Sequence, residues 1–204
     1  MGWLSDAVSF VTSAISVVVG GLSSLAISAA CSVCTSIGKA LGIIKEDEDI
    51  EGIGEKCKQA EESGIKPENY QKFEDYQKAI DSFEIDPNKK HSPEECIKRG
   101  IEHVNLAAKV LMPQLNLEAV INYLGKVDGE GFFNPKNLDS ILNTCRTEPD
   151  FMNNVLGVLN KTEKDQSILS TTIDKMITIE KSTNPNISEN DALRNIFRNQ
   201  VKQD

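Results

Sequence analysis

Charge is missing from the front of this chain. Asp6 and Lys39 are the only charged side chains in residues 1–44, and none stands between Ala7 and Gly38, a run of 32 residues. Cations are scarce elsewhere too. The chain has 22 Lys and Arg against 31 Asp and Glu, and the resulting −9 falls wholly on residues 45–204. A nucleic-acid partner would demand a basic patch that this balance does not supply. Histidine is limited to His91 and His103. Neither sits in an HExxH or has a histidine four residues away, so metal ligation has no support, and both read as surface residues. There is no P-loop and no GxGxxG, and no cofactor is expected.

Cysteine is present but in no useful pattern. Cys31, Cys34, Cys57, Cys96 and Cys145 make an odd number at irregular spacing, which is not a disulfide framework; they read as reduced thiols. Cys31 and Cys34 form a CxxC without a second pair or a nearby histidine, so a closed zinc site lacks ligands. They read as small apolar residues on a packed helix. The pairs Glu61-Glu62 and Glu94-Glu95 are consecutive, and consecutive helical residues do not face each other. They form solvated faces rather than acid–base dyads. Asp128-Gly129-Glu130-Gly131 has the look of a calcium loop but fails its ligand spacing, and reads as a turn. With no nucleophile motif, the chain reads as non-enzymatic.

What the front of the chain does have is small and apolar residues. A single helix over the charge-free run would be about 48 Å long, well beyond a ~30 Å hydrocarbon core. Gly20-Gly21 offers a hinge, which predicts two helices, over 4–19 and 22–43, as a hairpin. Ser16, Gly20, Ser24, Ser28, Ser32, Ser36 and Ala40 recur every fourth position and share one helical face. Such small-xxx-small strips let helices associate in lipid, and their hydroxyls suit the lining of a narrow pore. Leu25, Ala29, Val33, Ile37 and Leu41 make a greasier neighbouring row. Membrane insertion and a permanently buried core hairpin are the two readings. A secretory signal fits less well, because MGWLSDA has no Lys or Arg for an n-region. Ser28-Ala29-Ala30-Cys31 approaches a lipoprotein cleavage site without that basic start. Met1-Gly2 lacks the Ser or Thr at position 6 that myristoylation expects.

The remainder predicts an all-α domain of about seven helices over 45–204, beginning at the acidic shift KEDEDIE. A helix is expected over 48–62, ending at Gly64. A second starts near Pro67 and carries Phe73, Tyr76, Ile80 and Phe83, until Asp86-Pro87-Asn88 breaks it. Ser92-Pro93-Glu94-Glu95 is a capping box, followed by a face of Ile97, Ile101, Val104, Ala108 and Leu111. Three short amphipathic helices follow, over the Leu117–Leu124, Leu138–Cys145 and Met152–Leu159 patterns. Two more are expected near 165–181 and 189–202, punctuated by Asn134-Pro135 and Asn184-Pro185.

A Ser/Gly-rich apolar segment without a signal peptide, joined to a small acidic helical domain, resembles the small pore-forming, membrane-targeting effectors of bacterial type VI secretion systems. The segment IEGIGEKCKQAEESGIKPENYQKFEDYQKAIDSFEID (50–86) is also similar to such effector-like proteins. The resemblance is architectural and covers about the first 45 residues best. It implies a protein cytoplasmic in its producer, then secreted through a contractile apparatus, that forms an ion-permeable pore in a target cell's inner membrane. The implied partners are target membrane lipid, further copies of the chain in the membrane, and a chaperone, secretion-tube component or immunity protein. The alternative is a cytosolic helical adaptor or immunity-type interaction protein whose apolar N-terminus is core.

On the first reading Val17, Val18, Val19, Leu22, Leu25, Ile27, Val33 and Ile37 insert into the membrane. In a soluble form the same residues should be covered by protein, since leaving them in water forfeits roughly 1.5–3 kcal/mol per large side chain.

Overall fold

The computed structural model describes residues 20–127 and 129–198. Among them lie nine α-helices and no strand, so the chain is all-α as the periodicity predicts. The helices are α1 Ser24–Ala40, α2 Ile50–Glu62, α3 Phe73–Ser82, α4 Pro93–Leu111, α5 Leu117–Val127, α6 Pro135–Thr147, α7 Phe151–Leu159, α8 Gln166–Thr183 and α9 Glu189–Phe197. The helix expected over 4–19, with Ser16 and Val17–Val19, lies outside the described residues. So does the end of the helix expected over 189–202.

By packing, the chain divides into two units. Among the described residues, the first takes residues 20–21 with Cys34–Leu111, and the second takes Leu22–Val33 with residues 112–127 and 129–198. The line therefore passes through α1 and falls again before Pro113. That proline has no N–H for a helix and pushes the residue before it out of helical geometry. Met112 accordingly sits at φ −150°, and a short 3-10 turn, Pro113–Leu115, follows.

In the first unit α4 is central. Its start is the expected capping box. The Ser92 hydroxyl accepts from Glu95 N at 3.3 Å, and the Glu95 carboxylate accepts from Ser92 N at 3.2 Å. The Ser92 hydroxyl also donates to the Glu95 carboxylate at 2.8 Å, and that bond, then Lys58 and the Ser92 N–H, hold the Glu95 carboxyl at about 2. α2 lies against α4 backbone to backbone. A Cβ on Gly54 would stand 1.7 Å from the Cys96 carbonyl oxygen, and one on Gly100 would stand 2.0 Å from that of Ile50. Side chains normally hold helices 8–10 Å apart; here two bare glycines remove them. α3 supplies Phe73, Tyr76 and Ile80, all buried. Tyr76 and Phe73 meet the His103 ring edge-on and tilted, respectively. The helix expected to run on from Pro67 is interrupted: Pro67–Asn69 form a 3-10 turn, and α3 begins only at Phe73.

The second unit is built from shorter helices. α8 packs on α6, α7 and α9, and α9 also packs on the 3-10 turn Gly131–Phe133. Phe132, Phe133, Ile141, Met152, Met176 and Ile196 are buried in it. Asn134 caps α6 by accepting from Lys136 N, with Pro135 in the first turn, as Asn134-Pro135 predicts. Asp165 and Ser188 cap α8 and α9 in the same way.

Candidate functional site

The first candidate is α1, the described part of the charge-free run. It starts where Ser23 takes the N-cap: its hydroxyl accepts from Ala26 N at 3.2 Å and its carbonyl from Ile27 N at 2.9 Å. Gly20 is helical and Gly21–Ser23 are not. At the other end Gly42 takes φ 71°, a conformation that favours glycine. There Ile43 N donates to Gly38 O at 2.8 Å and Gly42 N to Lys39 O at 3.0 Å. That pair of bonds is a Schellman stop, and it ends the helix at Ala40 rather than at 43. At 17 residues α1 is about 26 Å long. No helix among the described residues is long and apolar enough to cross a membrane.

One face of α1 is core. Ala26, Ala29, Ala30, Val33, Cys34 and Ile37 are buried, spaced as one helical face. Within the first unit, the bare Gly38 lets Ile44 and Val104 close in, and Thr35 Oγ1 accepts from Ile50 N at 3.2 Å. Within the second, the Leu22 side chain lies on the bare backbone of Gly125.

The predicted strip points the other way. Gly20, Gly21, Ser24, Ser28 and Ala40 are exposed, and Ser32 and Ser36 are half-buried. The expected covering of the large side chains is met at Val33 and Ile37, partly at Leu22 and Ile27, and fails at Leu25, which is 64% exposed. The reason is rotational: Leu25 is one residue, about 100°, from the buried Ala26. The outer face thus carries Ser24, Leu25 and Ser28, with no charged side chain until Lys39.

The histidines correct the reading of both as surface residues. His103 is 1% exposed. Its Nε2 donates to Gln77 Oε1 at 3.0 Å, and Gln77 is held in that orientation by its own bond to Asp81 at 2.9 Å. Burial, and secondarily the Arg99 charge, push the ring down to about 3. His91 is half-buried between two carboxylates, with Nδ1 3.0 Å from Glu55 and Nε2 3.0 Å from Glu62. Those two bonds, Glu62 first, raise its pKa. Glu62 also pairs with Lys89, and Glu61 with Arg99. These glutamates are therefore tied into ion pairs, more than a solvated face.

This second cluster holds a loop. Gln59 Oε1 accepts from Asp86 N at 2.8 Å, while its amide donates to Lys89 O at 2.6 Å. Glu55 accepts from His91 N at 3.0 Å and from the Cys96 thiol at 3.0 Å. Burial alone would raise the Glu55 carboxyl, but the bonds from Cys96, Gln59 and His91 outweigh it and hold it at about 2. Burial, then Glu55, push the Cys96 thiol up to about 12. Cys57 is likewise pushed up to about 12 by burial. A nucleophilic cysteine needs its thiolate within reach of neutral pH. Cys96 instead donates to a carboxylate, and His91 has both nitrogens occupied. The cluster clamps residues 86–91 onto α2 and brings together no nucleophile–base pair.

No family model, curated protein or solved structure matches this chain. The site rests on its own residues.

Sequence reasoning missed Gly54, Gly100, Gln59 and the burial of His103. Gly54 and Gly100 carried a signal, since glycine inside an otherwise good helix costs about 1 kcal/mol relative to alanine and asks for a packing reason. Gln59 and His103 carried none, because their partners lie 26 or more positions away in the chain.

Proposed function

We propose that this protein is a non-enzymatic, membrane-active antibacterial effector. The charge-free segment is stored against the rest of the chain until it meets a target cell's inner membrane. The observation that carries the reading is the outer face of α1. A helix packed on one side normally shows Lys and Glu to water on the other; here the whole circumference from Ser24 to Gly38 is uncharged. Such a helix faces little electrostatic penalty on entering lipid.

On insertion, the turn at Gly42 straightens and adds Leu41, Ile43 and Ile44 to the helix. Residues 22–44 then supply a span of adequate length. Several copies associate through Ser24, Ser28, Ser32, Ser36 and Ala40, and the hydroxyls line a narrow path for ions. Export through a contractile secretion apparatus, with a chaperone or immunity protein as partner, belongs to the same reading. A cytosolic adaptor or immunity-type protein is the second reading, favoured by the burial of the Ala26–Ile37 face as ordinary core.

Ser28→Asp separates the two. Position 28 is exposed, so a charge there leaves the water-soluble fold intact. Within a bilayer the same charge costs roughly 2.5–3.5 kcal/mol. Liposome leakage and membrane depolarisation by the parent should be lost in Ser28→Asp while circular dichroism and solubility stay unchanged. A parent that leaks nothing supports the adaptor. A Ser28→Asp variant that permeabilises as well as the parent removes α1 from the mechanism.

A further inference from the structure

A cavity of about 940 Å³ opens in the second unit among the Gly131–Phe133 turn, the start of α6, the end of α8 and α9. Most of the residues that line it are polar, and the buried carboxylate among them is Glu180. That residue is 4% exposed, yet its carboxylate's partners among the described residues are neutral. Oε1 accepts from Asn137 Nδ2 at 2.7 Å and Oε2 from Asn195 Nδ2 at 3.4 Å. It forms no ion pair among the described residues. The amides cannot be turned to suit another arrangement. Asn137 also donates to Phe132 O at 3.0 Å and accepts from the Thr183 hydroxyl at 3.0 Å.

Buried carboxylates are ordinarily paired with a cation or a metal. A divalent metal wants about six oxygens, and among the described residues no three His, Cys, Asp or Glu side chains come together to hold one. An ammonium or guanidinium needs only the carboxylate and has N–H donors to spare. Lys136 and Arg198 line the same cavity and are exposed, and the half-buried Glu130 lines it too. The two cations outnumber that carboxylate, which disfavours a bare polyamine and suits a ligand that also carries a carboxylate. A volume of this order is ordinary for a small-molecule site.

We propose that the cavity binds a basic amino acid, free or as the C-terminal residue of a peptide, with its side-chain cation on Glu180 and its carboxylate toward Lys136 and Arg198. The site is independent of membrane insertion.

The test is a titration of the isotope-labelled full chain, followed by amide chemical shifts, with L-arginine, Gly-Gly-Arg, agmatine and calcium chloride. L-Arginine or Gly-Gly-Arg should shift Asn137, Thr183 and Asn195 with a Kd of about 1 mM or below. Tighter binding of the free amino acid points to a metabolite, and of the peptide to a chain terminus. Agmatine, which lacks the carboxylate, should bind more weakly than either. Glu180→Gln keeps the side chain's size and one acceptor oxygen, removes the charge, and should weaken binding at least about tenfold. If that variant fails to fold, the parent's shifts still decide. No shift at these residues up to several millimolar, agmatine binding as well as arginine, calcium shifting them more tightly than arginine, or undiminished binding by a folded Glu180→Gln would each overturn the proposal.

Discussion

α1 and α4 are the two longest described helices of the front half, and they reverse the usual link between polarity and burial. α4 carries Glu94, Glu95, Lys98, Arg99, Glu102, His103 and Lys109, yet every residue from Ile101 to Ala108 is buried. α1 has no charge before Lys39, yet shows Ser24, Leu25 and Ser28 to solvent. Position among neighbours decides burial here. α4 is faced by α2 through Gly54 and Gly100, by α3 through Phe73 and Tyr76, and by the end of α1 through Gly38. Its polar groups find partners on those neighbours: Gln77 for His103 and Glu61 for Arg99. Glu102 takes Arg99, three residues earlier on α4 itself. Desolvation is costly for each of these groups and becomes tolerable only because the partner is in place. α1 is buried on one side, and its other side is small residues, which demand little cover, with Leu25 left exposed among them.

Breaking the α2–α4 contact should have the largest effect. Gly54→Ala or Gly100→Ala places a methyl group into backbone rather than into a flexible side chain, and each should cost about 3 kcal/mol, the upper end of overpacking. Urea unfolding monitored by circular dichroism measures it, and a loss below about 1 kcal/mol would show that the helices separate easily.

His103 gives the next effect. Its folded pKa lies far below the ordinary ~6.5, so as pH falls below ~6.5 the unfolded chain takes up a proton that the folded chain refuses. Stability should drop by roughly 3 kcal/mol between neutral pH and pH 4, and His103→Gln should flatten that slope. His91 has the opposite sign. Its folded pKa is raised, so its contribution is fully present below ~6.5 and fades as pH rises through the raised value. A His91→Gln variant should therefore lose stability against the parent at pH 6 and lose less at pH 9.

The loop clamp comes third. Gln59→Ala leaves Asp86 N and Lys89 O without their partner and should cost about 1–2 kcal/mol. Limited proteolysis between residues 84 and 91 should accelerate with it. The outer face of α1 closes the series: Leu25→Ser and Ser28→Ala should each change stability by no more than about 0.5 kcal/mol. A larger loss at Leu25 would mean that this face is covered in solution.

Much of the fold was legible because its signals are local. The capping box at Ser92, the Asn134-Pro135 helix start and the stop before Pro113 act within one turn of helix, and each appears where the sequence put it. The Gly42 stop was missed, although it too is local, because the apolar pattern runs on through Ile43 and Ile44 and masks it. The rotation of α1 was not legible at all. Two rows, Ser24-Ser28-Ser32-Ser36 and Ala26-Ala30-Cys34-Gly38, are equally small, and nothing in the periodicity says which faces inward.

The sequence by itself determined an all-helical chain, the lack of charge from Ala7 to Gly38, and most helix starts and stops, because propensity, capping and proline chemistry act over three or four residues. Only the tertiary structure decided which face of α1 is covered, that two glycines 46 positions apart bring α2 and α4 into backbone contact, that one histidine is sealed in the core while the other clamps a loop, and that Glu180 lies buried among amides. Each of these depends on groups distant in the chain arriving at one place, and the free energy of a buried polar group or a bare backbone contact is set by what arrives there.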